Sequence, residues 1–245
     1  MTMRNAFLLL CCFLIGLQSC GQSAQQQLHC ELYEAYVDDR VADWQGIIGR
    51  MEALDDSTAE WQRELFLARY GYIGYLLGNK RKDEARDELN RTIHALRAVQ
   101  ARFPNNAAFY CLDACFHSYQ ISLSMVQAPI LYPAHQAAMR KAERLSETEP
   151  LLAFEQANMY FYKPRFLGGN KRKAIEKYQL SLSQLSSEKC RSCCWFELMV
   201  QLFLLKAYYE TGQKDDFNQL KAELVQLHGS LNWVDGFLNS KVLDD

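Results

Sequence analysis

The sequence predicts an all-α fold, a row of about four to five helix-turn-helix hairpins. Three observations carry that expectation. Between Val41 and Leu227 the apolar residues recur at helical spacing almost throughout. Turn-forming residues are scarce, with 12 Gly and 5 Pro in 245 residues, whereas an all-β chain of this length needs many. Candidate turns near Asp38, Gly78, Ala128, Gly169 and Gly212 are about 40 to 50 residues apart, the rhythm of helical pairs that stack on their neighbours. An apolar content of 49% excludes wholesale disorder. A net charge of −2 argues against a chain that binds nucleic acid through its overall field.

The N-terminus reads as an address. Ala6 to Leu17 is an unbroken run of apolar residues plus Gly, twelve long, behind a single charge at Arg4. A membrane-spanning helix needs roughly twenty apolar residues, so the run is the core of a secretory signal, residues 1–19. Leu17-Gln18-Ser19-Cys20-Gly21 resembles a bacterial lipobox. The resemblance implies cleavage before Cys20, lipid on Cys20 and a short tether over residues 20–27. Cleavage by an ordinary signal peptidase near Ser19 or Ala24 is the alternative. A single repeat domain then fills residues 28–245.

The elements follow in order. Trp44, Ile47, Ile48 and Met51 make one helix face, ending near Leu54. Ser57 to Glu60 reads as a capping box, in which hydroxyl and carboxylate satisfy the free amides of a helix start. Trp61, Leu65, Ala68, Tyr72, Ile73 and Leu76 continue that helix to Gly78, and Ala85, Leu89, Ile93, Leu96 and Val99 mark its return. Pro104 biases Phe103 away from helix, and the Asn pair behind it can cap the next one. A helix from Ala108 to Ser124 follows, then a break at Ala128-Pro129 and a helix to Ser146. Pro150 opens another pair, broken between Lys163 and Gly169. The last pair spans Cys190 to Leu227 with its turn at Gly212, and Asn232 to Leu238 forms a short terminal cap. The pentapeptide Gly78-Asn79-Lys80-Arg81-Lys82 recurs as Gly169 to Lys173, each copy at a hairpin turn where Gly can take the left-handed conformation.

Gly169 to Ala174, followed by Tyr178, resembles the middle of a tetratricopeptide repeat: a turn Gly, an Ala five residues on, an aromatic four beyond that. Ala207 to Gly212 is similar to the end of a first repeat helix, with Phe217 in place of the Ala. Gly71 to Leu89 fits with two extra residues. The units are longer than the family's, which run to about 34 residues. The resemblance covers three imperfect units, from Trp61 to Leu227. It extends to bacterial lipoproteins with divergent arrays of this kind, and implies a right-handed α-solenoid that binds proteins or peptides. Its concave face would draw on residues such as Tyr70, Tyr110, Tyr162 and Phe203.

Three sets of residues are candidate sites. Tyr160 to Gly169 gathers four aromatics and two cations at a helix end and loop. Such a surface can hold a peptide or an anionic group by stacking and charge-assisted bonds. Tyr162, Lys163, Arg165 and Phe166 are its candidate binding residues. The structural alternative is that these residues only seal and turn the hairpin. The second set is the cysteines. Cys190 and Cys193 form a C-x-x-C that suits a disulfide, with Cys194 as another partner, or a thiolate pair activated at a helix start. With Cys111 and Cys115 they would make a four-sulfur zinc site, although those two fall on an apolar face and suit filling. The third set is the two basic turns, Lys80 to Lys82 and Lys171 to Lys173, which a regular array projects from one edge toward an acidic partner or anionic headgroups.

No Walker loop, nucleophile elbow, dinucleotide fingerprint or H-E-x-x-H pair occurs. The expectation is therefore a non-catalytic scaffold in the cell envelope, without cofactor or metal, binding a protein or peptide while lipid on Cys20 holds it to a membrane. The alternative is a solute-binding lipoprotein that holds a small molecule or glycan for a transport system.

Overall fold

A computed structural model describes residues 23–54, 56–187 and 193–239. The signal segment, Cys20 and Cys190 lie outside the described residues. Those described form eleven α-helices and no strand. They are α1 (Ala24–Val37), α2 (Trp44–Ala53), α3 (Ala59–Gly78), α4 (Lys82–Arg102), α5 (Ala107–Leu123), α6 (Ala128–Leu145), α7 (Pro150–Tyr162), α8 (Lys171–Ser187), α9 (Trp195–Thr211), α10 (Lys214–His228) and α11 (Val234–Asn239).

Four hairpins, α3/α4, α5/α6, α7/α8 and α9/α10, follow one another, and each packs on the next. The two helices of a pair bury very different amounts. Eleven of the seventeen residues of α9 are buried, against Leu224 alone in α10. The same asymmetry separates α3 from α4 and α5 from α6. A helix that is apolar nearly all round must be covered on every side, whereas a single apolar stripe leaves the rest in water. The first helices therefore form an inner layer and the second helices an outer one.

The helix ends are built from local chemistry. Thr58, not Ser57, caps α3, its hydroxyl accepting from the Trp61 amide at 3.3 Å. Asn106 caps α5 through the Ala108 amide. Glu149 caps α7, with Pro150 at the first position, where a missing N–H costs nothing. The repeated pentapeptide does two different jobs. In the first copy Gly78 is still helical, Asn79 donates from its side chain to the Tyr75 carbonyl, and Lys80 takes the left-handed conformation. In the second copy Asn170 caps α8 by accepting from Arg172 and Lys173, and Gly168 is left-handed instead. The expectation that Gly78 and Gly169 adopt positive φ is corrected in both places.

The N-terminal segment also differs from expectation. Gln25 to Gln27 are the first turn of α1 rather than a tether, with Ser23 accepting from the Gln26 amide. Helix α1 then closes the array on itself by packing against the last hairpin. Tyr36 meets the rings of Trp195 and Trp233, the Trp233 indole donates to the Val37 carbonyl, and Tyr33 shares a 2.6 Å hydrogen bond with His228. Trp44 and Trp195 meet edge to face at 4.7 Å. Gly71 of α3 admits both indoles, since a Cβ there would lie 2.5 Å from Trp44. A disulfide between Cys30 and Cys193 staples this closure. The Cys190–Cys193 pairing is thereby corrected. Connectivity follows three-dimensional approach, which C-x-x-C spacing does not encode.

Closure fills the expected concave face. Tyr70 is buried and stacks on Tyr119 at 5.1 Å. Phe203 packs among Phe154, Tyr178 and Phe237. Tyr110 lies under the Lys141 ammonium and donates its hydroxyl to the Pro104 carbonyl.

Candidate partner-docking site

The first helices α3, α5 and α7 run parallel, so each hairpin has a start edge and a turn edge. Arg63, near the start of α3, pairs with the α7 cap Glu149 at 3.1 Å, which fixes the start edge. At the other edge lie the hairpin turns. Two turns there carry the four most exposed large apolar side chains of the described residues, Val126, Phe166, Ile130 and Met125.

The α5/α6 turn passes through a short 3₁₀ segment, Met125–Gln127, and presents Met125, Val126 and Ile130. The α7/α8 turn forms another, Arg165–Leu167, and presents Phe166 and Leu167. Val126 is 89% exposed and Phe166 86%. Lys163 joins the two turns, donating to the Tyr132 hydroxyl at 2.9 Å with its ammonium over that ring. The α7/α8 turn is tightly closed. Leu167 and Gly169 both donate to the Pro164 carbonyl, Gly168 donates to Arg165, and Asn170 donates to Tyr160. A Cβ on Gly169 would fall 1.7 Å from the Lys163 carbonyl oxygen, so only Gly fits there. Phe166 is thus held outward by a rigid turn.

Below the turns the ledge is braced by a buried polar cluster. Tyr132 stacks parallel to His135 at 6.1 Å. His135 Nε2 lies 3.1 Å from Glu155 Oε1, which also accepts from Ser118 at 2.6 Å. Glu155 Oε2 accepts from the Cys115 thiol at 3.5 Å. A buried carboxylate needs such partners, because its desolvation is otherwise prohibitive. The brace ties α5, α6 and α7 together beneath Lys163. Its chemistry is not nucleophilic. Burial, and then the neighbouring Glu155 charge, push the Cys115 thiol well above the usual range, and burial does the same to Cys111. Reactive thiols need the opposite shift.

Of the four candidate binding residues, Arg165 and Phe166 stand in solvent and Lys163 is half-buried beside Tyr132. Tyr162 turns back into the packing, its ring 4.8 Å from Phe161, and burial raises its phenol above the ordinary range. Cys193 is engaged by Cys30, so the four-sulfur zinc set is not assembled. Cys111 and Cys115 are fully buried free thiols in the core of α5. The basic turns carry ion pairs, Arg81 with Glu84 within its own turn and Lys171 with Glu210 of α9, the latter at 2.6 Å.

Met125, Val126, Ile130 and Tyr132 belong to no motif in the sequence. Their signal was present: no Asp, Glu, Lys or Arg occurs between Asp113 and Arg140, although only part of that run enters the core. Among the described residues no helix is long and apolar enough to cross a membrane. No family model, curated protein or solved structure matches this chain.

Proposed function

We propose that the protein is a non-catalytic scaffold of the cell envelope, a right-handed tetratricopeptide-like solenoid held to a membrane by lipid on Cys20, and that it binds a protein or peptide at the hairpin-turn ledge. One observation carries the reading: the rigid outward presentation of Phe166 on a turn that Lys163 links to the α5/α6 turn, where Val126 is also exposed. Single exposed apolar residues are ordinary, but several on two linked turns mark an interaction surface. Rigid presentation lowers the ordering cost of binding. The Cys30–Cys193 disulfide supports an address outside the cytoplasm, since such bonds persist in oxidising compartments. The solute-binding alternative gains nothing from the Tyr160 to Phe166 segment. There Phe161 is buried against Tyr178 and Tyr162, and Phe166 points to solvent.

Photo-crosslinking in the native envelope tests the proposal, with the crosslinker at Phe166 and a control at the exposed Glu176 of α8. The expected result is a discrete protein adduct at Phe166 and none at Glu176. A folded, exported protein that yields no protein adduct at Phe166 refutes docking at this ledge.

A further inference from the structure

We infer that the ledge takes an acidic protein segment with an apolar face, a deepening that rests on the docking function proposed above. The two turns of the ledge carry charge of one sign only. The α5/α6 turn lies in the run between Asp113 and Arg140 that holds no Asp, Glu, Lys or Arg. Between Glu155 and Glu176 the only such residues are Lys163, Arg165, Lys171, Arg172 and Lys173. Glu210 neutralises Lys171, and Lys163 is turned to Tyr132. Arg165 and Arg172 are exposed, and neither is ion-paired among the described residues. Guanidinium groups bind carboxylates through two parallel hydrogen bonds, which gives direction as well as attraction. Apolar tips flanked by the exposed Arg165 and Arg172, with Glu210 already engaged by Lys171, thus complement a segment of apolar residues flanked by Asp or Glu.

Geometry favours a protein over the anchoring membrane as the source of negative charge. Gln25, in the first turn of α1, donates to Asp56, which also accepts from the amide of the α3 cap Thr58. The chain therefore enters at the start edge. Cys20 precedes Ser23 by three residues, a reach of about 10 Å at most. Helices α5 and α7, which lead into the two ledge turns, have 17 and 13 residues, so the ledge lies about 20–25 Å from that end. A lipid on Cys20 places the start edge toward the bilayer and the ledge away from it.

The probes are two amphipathic peptides of about 18 residues, roughly five helical turns, with the same leucine face. One carries Glu on its polar face and the other Lys. Vesicles of phosphatidylcholine, with and without phosphatidylglycerol, form the third arm. The oxidised domain starting at Ser23 is compared with Val126→Ser/Phe166→Ser and with Arg165→Glu, whose helicity and melting temperature are checked first. All three side chains are exposed, so folding is expected to survive. The expected result is that the Glu peptide binds at least about tenfold tighter than the Lys peptide. The double Ser variant loses about tenfold or more. Arg165→Glu weakens the Glu peptide, and added salt narrows the difference.

Equal binding of both peptides, lost in the double Ser variant, overturns the acidic class while leaving protein docking intact. Binding of neither peptide overturns the inference. Binding to phosphatidylglycerol vesicles without peptide binding overturns both it and the docking function, and assigns the ledge to a lipid surface.

Discussion

Replacing Cys30 or Cys193 with Ser removes the one covalent link between α1 and the last hairpin. The two cysteines are 163 residues apart, so the bond closes most of the chain into a loop. In the chain-entropy model, closing a loop of that length removes about 5 kcal/mol of conformational freedom from the unfolded state at 25 °C. For a domain of this size each kcal/mol corresponds to about 2–4 °C, so the melting temperature should fall by roughly 10–20 °C. The reduced protein should still fold, because Trp44 on Trp195, Tyr36 on Trp233 and the Trp233–Val37 hydrogen bond remain. Thermal unfolding followed by circular dichroism, with and without reductant, measures the effect. The two single variants and the double should melt together, since each breaks the same bond. A Cys194→Ser control should leave the bond in place. A shift under about 2 °C in the double variant contradicts the entropic reasoning. A non-reducing peptide map that joins Cys193 to Cys190 or Cys194 contradicts the closure itself.

The buried brace and the buried tyrosines give further expectations. Glu155→Ala leaves Ser118 and His135 without their buried acceptor and should cost about 3–5 kcal/mol in urea denaturation. Glu155→Gln keeps an acceptor for both and should cost about 1 kcal/mol; equal losses in the two variants would mean that the hydrogen bonds are not what matters. Burial raises the phenol pKa of Tyr36, Tyr70, Tyr119, Tyr162 and Tyr178. Above pH 10 the unfolded chain releases these protons while the folded protein keeps them, so stability is complete below pH 10 and falls as pH rises beyond it. Lys206, whose pKa burial lowers, opposes this as a single group. Tyrosinate absorbance should therefore rise cooperatively with unfolding. Five phenols that ionise independently near pH 10 in a folded protein would show that they are not buried.

Much of this fold is legible in the sequence because a helix face is a local pattern. Trp44, Ile47, Ile48 and Met51 share the buried face of α2, and Pro150 and Gly212 mark a helix start and a helix end where they were expected. Helix α1 was missed because its first turn is a run of glutamines, with no apolar period until Leu28. The closure was missed because Tyr36, Trp195 and Trp233 meet only through tertiary packing. An apolar first helix reads alike whether it lines an open groove or a filled interior, so the sequence does not show which way Tyr70 points, and the structure buries it. The brace draws Ser118, His135 and Glu155 from three helices, and no spacing rule links them. At the ledge the aromatic and cationic residues of the α7/α8 turn were visible as a motif. The apolar tips of the α5/α6 turn were not, because Met125 and Val126 resemble core residues until their exposure is known.

Paired photo-crosslinking at Val126 and Phe166 tests the central claim most directly, because it asks whether two hairpin turns act as one surface. If they do, both positions capture the same protein in intact cells, and Arg165→Glu diminishes both adducts together. Two different proteins at the two positions, or an adduct at one that is indifferent to Arg165→Glu, would mean that the ledge is not a single docking site.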